Sequence, residues 1–181
     1  MKIMQLYTER LLLRDITMDD KQDIFNYRSD AEANKFQGWI PETLEDVESF
    51  IQRNTKEFNK PESWYQLLIT DKETKAVIGD IGVHFLGDEN VQAELGITLN
   101  TSFQGKGYAS EALKGVIDYL FNDLHKHRIT ASVDPDNTAS IQLMERIGLR
   151  KEGHFVKSLF WKNNWVDDVI YAALREEWQK K

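Results

Sequence analysis

The most regular alternation in the chain is VQAELGITL, residues 91–99, where Val91, Ala93, Leu95, Ile97 and Leu99 alternate with Gln92, Glu94, Gly96 and Thr98. A period of two predicts a strand with one apolar and one polar face. The period then changes: Tyr108, Ala109, Ala112, Leu113, Val116, Ile117, Leu120 and Phe121 recur in pairs four apart. That spacing predicts a helix with one buried face. Upstream, LYTERLLLRDIT predicts a first strand, and MDDKQDIFNYRSD a helix with Asp19 and Asp20 at its positive end. Residues 43–58 place Leu44, Val47, Phe50, Ile51 and Phe58 at near-helical spacing behind Thr43 as a cap. WYQLLIT and AVIGDIGVHFL predict two strands joined by the polar turn DKETK. RITASV predicts another strand, NTASIQLMERIGL a short helix with Asn137 near its cap and Gly148 past its end, and HFVKSLFWKNNWVDDVIYAAL two strands around a KNN turn. This order predicts an α/β or α+β fold with a mixed sheet, and with no internal repeat it predicts one domain over residues 1–181.

Composition narrows the class. Of 181 residues, 41% are hydrophobic and 29% charged, the balance of a soluble globular chain. No apolar run approaches the roughly 18 residues of a membrane span, and the opening stretch carries Glu9 and Arg10 within its apolar run. A cytoplasmic protein without a signal peptide or membrane association is the expectation. The chain has no cysteine, which excludes disulfides, thiolate zinc sites and a thiol nucleophile. A net charge of -7 argues against nucleic acid as a main partner, and its sign suits an amine substrate. His84, His125, His127 and His154 show no H-E-x-x-H spacing, so no metal is expected and they read as ordinary core or surface residues.

The chemistry concentrates between the clear strand and the clear helix, at FQGKGYASEAL, residues 103–113. The first N–H groups of a helix lack internal partners and sit at its positive end, so a glycine turn there is either an anion site or a tight turn that packs helix on sheet. The segment is not G-x-x-x-x-G-K-[ST], and it lacks the third glycine of G-x-G-x-x-G. Gln104 through Ala109 do fit Q/R-x-x-G-x-G/A, the signature of the GNAT superfamily of acyl-CoA-dependent N-acetyltransferases. AELGITLNTSFQGKGYASEAL, VDPDNTASIQLMERIGLRKEGHF, WVDDVIYAALREEW and the opening TERLLLRD resemble, in order and spacing, the branch of RimJ and RimL type ribosomal-protein N-terminal acetyltransferases. The resemblance covers nearly the whole chain. Its motifs are specific for the superfamily and say little about the acceptor.

The resemblance implies a mixed, splayed central sheet flanked by helices on both faces, with acetyl-CoA between two separating strands. It implies that the pyrophosphate lies on the backbone from Gln104, Gly105, Lys106, Gly107, Tyr108 and Ala109 to Ser110. It implies that the pantetheine pairs with the strand edge at Ile97, Thr98 and Leu99. Asn137 then contacts the pantetheine, unless it is simply a helix cap; Ser140 lies near the sulfur, unless it is a solvated helix residue. Phe36 and Trp39 fall in a loop that borders the acceptor in the family, and packing under that loop is their other reading. A homodimer is the family's expectation.

Direct attack of a free amine needs two proton transfers. Many GNAT enzymes place a tyrosine acid where this chain has Met144, which leaves Ser140 as the nearest proton donor. Glu94, on the polar face of its strand, is the best carboxylate for a base, directly or through water; a structural ion pair is its other reading. Freeing an α-amine at pH 7 costs roughly 1 to 1.4 kcal/mol, against about 4.6 for a lysine-type amine. An N-terminal α-amine of a protein or peptide is therefore the favoured acceptor. A polyamine, amino sugar or antibiotic amine is the alternative. A non-catalytic acyl-CoA-binding regulatory module is a third reading, motivated by Met144.

Overall fold

The computed structural model describes residues 4–54 and 57–179. Its strands are β1 (Gln5–Tyr7), β2 (Leu11–Asp15), β3 (Ser63–Asp71), β4 (Val77–Leu86), β5 (Gln92–Leu99), β6 (Arg128–Val133), β7 (Arg150–Trp161) and β8 (Asn164–Leu174). Its helices are α1 (Lys21–Arg28), α2 (Leu44–Arg53), α3 (Tyr108–Asn122), α4 (Thr138–Ile147) and the short α5 (Arg175–Trp178). The strands form one sheet in the order β1-β2-β3-β4-β5-β6-β8-β7, in which the β5–β6 pair alone is parallel.

Alternation along β3 sorts the core into two. Leu67 and Ile69 point to the face where Leu113, Val116, Ile117, Leu120 and Phe121 of α3 pack with Leu143 and Ile147 of α4. Leu68 points the other way, to Ile24 and Tyr27 of α1 and Val47 and Ile51 of α2. Helices thus flank both faces, in agreement with the expected mixed α/β architecture. No helix among the described residues is long and apolar enough to cross a membrane.

Three elements depart from their predicted extents. LYTERLLLRDIT is two strands rather than one, because Thr8 reverses the chain: its N–H donates to the Leu11 carbonyl at 3.0 Å and its hydroxyl accepts the Leu11 N–H at 3.1 Å. The helix expected over 43–58 begins as predicted, with Thr43 Oγ1 accepting the Asp46 N–H at 3.2 Å, but ends at Arg53, where Asn54 turns extended. Thr55 and Lys56 of that prediction lie outside the described residues. Phe58 belongs to the other core, edge-on to Tyr65 and Phe85 at 4.9 and 5.2 Å. In the C-terminal hairpin β7 begins four residues ahead of the predicted His154. Its turn places Lys162 and Asn163 at φ 45° and 65°, the paired positive values of a type I′ hairpin.

One feature of the sheet positions the site. β5 and β6 pair only from Gln92–Glu94 to Arg128–Thr130. Beyond this, β5 stays with β4 to Leu99 and β6 stays with β8 to Val133, so the two strands part.

Candidate active site

The parting strands leave one edge of β5 without a strand partner. Asn100 N–H donates to the Ile78 carbonyl at 2.9 Å, continuing the β4–β5 ladder. By antiparallel alternation, Glu94, Gly96 and Thr98 turn their backbone groups to β4, whereas Leu95, Ile97 and Leu99 turn theirs into the gap. Two side-chain amides reach these carbonyls: Gln37 Nε2 donates to Ile97 O at 3.3 Å and Gln104 Nε2 to Leu99 O at 3.2 Å. Of the predicted pantetheine edge, Ile97 and Leu99 face the gap. Thr98 does not; its hydroxyl donates to Gln37 Oε1 at 2.9 Å and its residue is buried.

Past β5 the chain makes the predicted glycine turn. Gly105 and Gly107 sit at φ 73° and 82°, and Gly107 caps α3. Among the described residues, a Cβ at Gly105 would meet nothing within 4 Å, and one at Gly107 only an Arg10 guanidinium nitrogen at 3.4 Å. The left-handed backbone, rather than crowding within the chain, is what calls for glycine here. Tyr108, Ala109 and Ser110 form the first turn of α3, and the Ser110 hydroxyl is buried with no hydrogen-bond partner among the described residues. Lys106 turns its ammonium to the Ser102 carbonyl at 2.8 Å and over the Phe103 ring.

The cation that buttresses this turn is Arg10, which sequence reasoning missed. Its Nε donates to Glu111 Oε2 at 2.6 Å, its backbone N–H to Glu111 Oε1 at 2.7 Å and its Nη1 to the Lys106 carbonyl at 3.1 Å. Its guanidinium lies 4.4 Å from the Tyr108 ring centroid. Burial pushes the Glu111 carboxyl up, but the bonds from Thr8 and Arg10 outweigh it and hold it below the usual range. The available signal was the turn within TERLLLRD, which a single-strand reading concealed.

The opposite face of β5 floors a pocket of about 500 Å³. Phe36 and Trp39 both line it, as do Trp64, Trp161, Glu94, Gly96 and Thr98. Trp39 also stacks on Phe50 at 4.4 Å, so it both packs its loop and walls the pocket. Trp165 is 60% exposed against Phe160 and lies off the pocket. In the pocket lining Asp80 accepts from Arg28 Nε at 2.9 Å and from the Tyr27 hydroxyl, a buried group of three. Glu94 has no hydrogen bond or ion pair among the described residues. Burial pushes its carboxyl up, the neighbouring Asp168 adds to this, and His84 opposes it. His84 faces Glu94 across the β4–β5 ladder and stacks on Trp64 at 4.6 Å. Among the described residues no group of three or more His, Asp or Glu is placed to hold a metal ion.

β6 leads into α4 on the far side of the gap. Asn137 Oδ1 accepts the Ser140 N–H at 3.1 Å, so the cap reading holds for that oxygen. Ser140 is partly exposed one turn on, whereas Met144 is buried beside Leu143 and Ile147.

The site thus has a parted strand pair, a left-handed glycine turn into a long helix and a pocket behind them. The GNAT acetyltransferase domain family matches residues 10–150 of the chain. The chain belongs to this family. The uncharacterized N-acetyltransferase YnaD of Bacillus subtilis (strain 168) is 35% identical over 97% of this chain and 99% of its own. The [Ribosomal protein uS5]-alanine N-acetyltransferase of Escherichia coli (strain K12) is 32% identical over 67% of this chain and 63% of that protein. A crystal structure of a GNAT-family acetyltransferase from Bacillus anthracis superposes with a TM-score of 0.87 at 33% identity, covering 96% of this chain and all of that one. A spermidine N-acetyltransferase from Vibrio cholerae in complex with CoA and spermine superposes at 0.79 with 23% identity over 94% of this chain and 98% of that one, an agreement of fold. The chain is therefore an acyltransferase of the GNAT type.

Proposed function

We propose that this GNAT enzyme acetylates a protein or peptide N-terminal α-amine by direct attack in a ternary complex. One observation carries the reading: the edge Leu95–Leu99, which no strand pairs among the described residues, runs from the pocket holding Glu94 to the glycine turn at Gly105 and Gly107. The residues present fit acetyl-CoA. An amide-bearing arm laid along Leu95, Ile97 and Leu99 exchanges hydrogen bonds as an added strand does. The N–H groups from Gln104 to Ser110 meet a pyrophosphate at the positive end of α3, and the orphan Ser110 hydroxyl sits in the same turn. Asn137 borders the arm from the α4 side.

When bound, acetyl-CoA supplies an activated thioester. Glu94 takes the amine proton, directly or through a water, a task favoured by a carboxyl held above its ordinary range. A backbone N–H of the β5 edge near Leu99 would stabilise negative charge on the acyl oxygen. Ser140 serves the departing thiolate, since Met144 has no proton to give. Phe36 and Trp39 wall the acceptor pocket. An α-amine is freed at neutral pH for about 3 kcal/mol less than a lysine-type amine. The ribosomal-protein alanine acetyltransferase among its relatives supports the same acceptor class.

A second reading, a small polycationic amine, draws on Asp134, Asp167 and Asp168, which line the same pocket. The test is thiol release from acetyl-CoA across N-terminal peptides, lysine-only peptides and polyamines, with the wild type and Gly107→Trp. The expected result is fastest turnover with a free N-terminus, abolished in the variant. Faster turnover of a polyamine or a lysine-only peptide overturns the α-amine assignment.

A further inference from the structure

Three cross-strand rows cross the pocket face of β3, β4 and β5: Trp64–His84–Glu94, Gln66–Gly82–Gly96 and Leu68–Asp80–Thr98. The middle row carries glycine twice, and the two glycines differ. At Gly82 the space is taken: a Cβ would lie 2.9 Å from Gln66 Nε2 and 3.1 Å from Trp64 Cζ3, so those side chains lean across the strand. At Gly96 a Cβ would meet no atom of the described residues within 4 Å. Nor does the Gly96 backbone demand glycine, since its φ is not in the left-handed region. Glycine inside a paired strand loses more conformational freedom than other residues and contributes no packing. Neither the backbone nor the packing of the chain therefore accounts for Gly96.

Its position does. Glu94 and Thr98 stand on either side of it on the same face. β6 has already left β5 at this level, since their pairing ends at Glu94. The hollow over Gly96 therefore joins the pocket to the gap. We propose that Gly96 is the specificity-determining residue of the acceptor site: its bare Cα is the passage by which the amine reaches the gap beside Glu94. The size of that hollow limits the bulk on the carbon that bears the amine. This inference rests on the acceptor reading of the pocket given above.

The absence of cysteine makes the test direct, because Gly96→Cys installs the chain's sole thiol. Methyl methanethiosulfonate is expected to modify this thiol rapidly, and that of Gly82→Cys much more slowly. The methylthio group is then expected to cut acceptor kcat/KM by roughly 10–200-fold, the scale of one misplaced carbon in a pocket. Acetyl-CoA affinity by calorimetry and the thermal midpoint should not fall. Gly96→Ala, which leaves the protein unmodified, should lose more on amines branched at the adjacent carbon than on unbranched ones. A Gly96→Cys thiol no more reactive than that of Gly82→Cys overturns the inference, as does a Gly96→Ala enzyme with wild-type rates on branched and unbranched amines alike. A wild type that acetylates no amine overturns the acceptor reading and the inference with it; thiol reactivity still reports separately whether the hollow is open.

Discussion

Glu94 illustrates a side chain whose fold and function pull apart. It lies half-buried beside the pocket with no ion pair among the described residues, and its partial burial raises its carboxyl. A carboxyl raised in the folded state gives stability at low pH that is lost as pH rises from its unfolded value through its folded one. Ionised Glu94 is therefore a cost at pH 7. Glu94→Gln should lower kcat/KM by about 10²–10⁴-fold while raising the thermal midpoint at pH 7, a gain that disappears in acid. A fall in both would reduce Glu94 to a structural carboxylate. Lys126 makes the opposite case away from the site. It is buried, donates to Asn90 Oδ1 at 2.6 Å and to the Asn90 carbonyl, and lies over the Phe85 ring. Loss of solvent brings its ammonium down to about 8. The unfolded chain holds that proton to about pH 10.4, so the Lys126 contribution to stability rises between pH 8 and roughly 10. Burial pushes up the phenols of Tyr27 and Tyr65, which lowers stability above about pH 10. Denaturant titrations from pH 8 to 9.5 should therefore show rising stability, flattened in Lys126→Met; parallel curves for the two proteins would exclude it.

At the scale of elements, α3 is aimed by a clasp from the far end of the chain. The Thr8 hydroxyl donates to Glu111 Oε1 at 2.6 Å, and Arg10 adds its own bonds to the same carboxylate and to the Lys106 carbonyl. Gly115 lets the turn after β1 sit close, since a Cβ there would lie 2.7 Å from Thr8 Cγ2. Arg10→Ala should loosen the glycine turn without touching the acceptor pocket. We expect acetyl-CoA affinity to fall about tenfold, roughly 1.4 kcal/mol, with kcat for saturated enzyme little changed. Arg10→Lys should not restore it, because an ammonium cannot reproduce the forked contact. Unaltered affinity, measured by calorimetry, would show that the turn holds without its clasp. The α2 terminus offers a plainer case. Thr43 and Asp46 cap each other's N–H groups, so Thr43→Ala should cost about 1 kcal/mol in denaturant unfolding.

The whole molecule is a sheet that divides. β1 to β5 form one antiparallel unit and β6, β8 and β7 another, joined by three residues of parallel pairing and held by helices on both faces. The gap between the units is the only place where this sheet leaves an interior strand edge unpaired over several residues, among the described residues. The outer unit ends in the bulged strand β7, where Phe155, Val156 and Phe160 are exposed, as is Trp165 on β8. Exposed apolar groups on a sheet edge, Phe160 and Trp165 among them in contact, favour association, and we propose a homodimer through this hairpin. Sedimentation at micromolar concentration should show a dimer that the paired change Phe160→Asp and Trp165→Asp converts to a monomer. A monomeric wild type would refute it.

Sequence alone determined the local frame. The period-two run became β5 to within one residue, the paired spacing became α3, and Asn137 and Gly148 bound α4 as read. These follow from side chains a few residues apart, which set backbone geometry before any distant contact forms. The motif also located the glycine turn and named the family to which the chain belongs. Tertiary structure decided the rest. Phe58 continued the helical spacing of α2, yet left it for the other core, because its partners Tyr65 and Phe85 are on β3 and β4. Arg10 reaches the glycine turn across 96 residues of chain, a distance no local pattern encodes. Whether Thr98 turns its backbone toward the gap depends on the register with β4, and whether Gly96 is crowded or bare depends on where Trp64 and Gln66 come to lie. Periodicity reports which face a residue takes; what stands opposite that face is set only when the strands assemble.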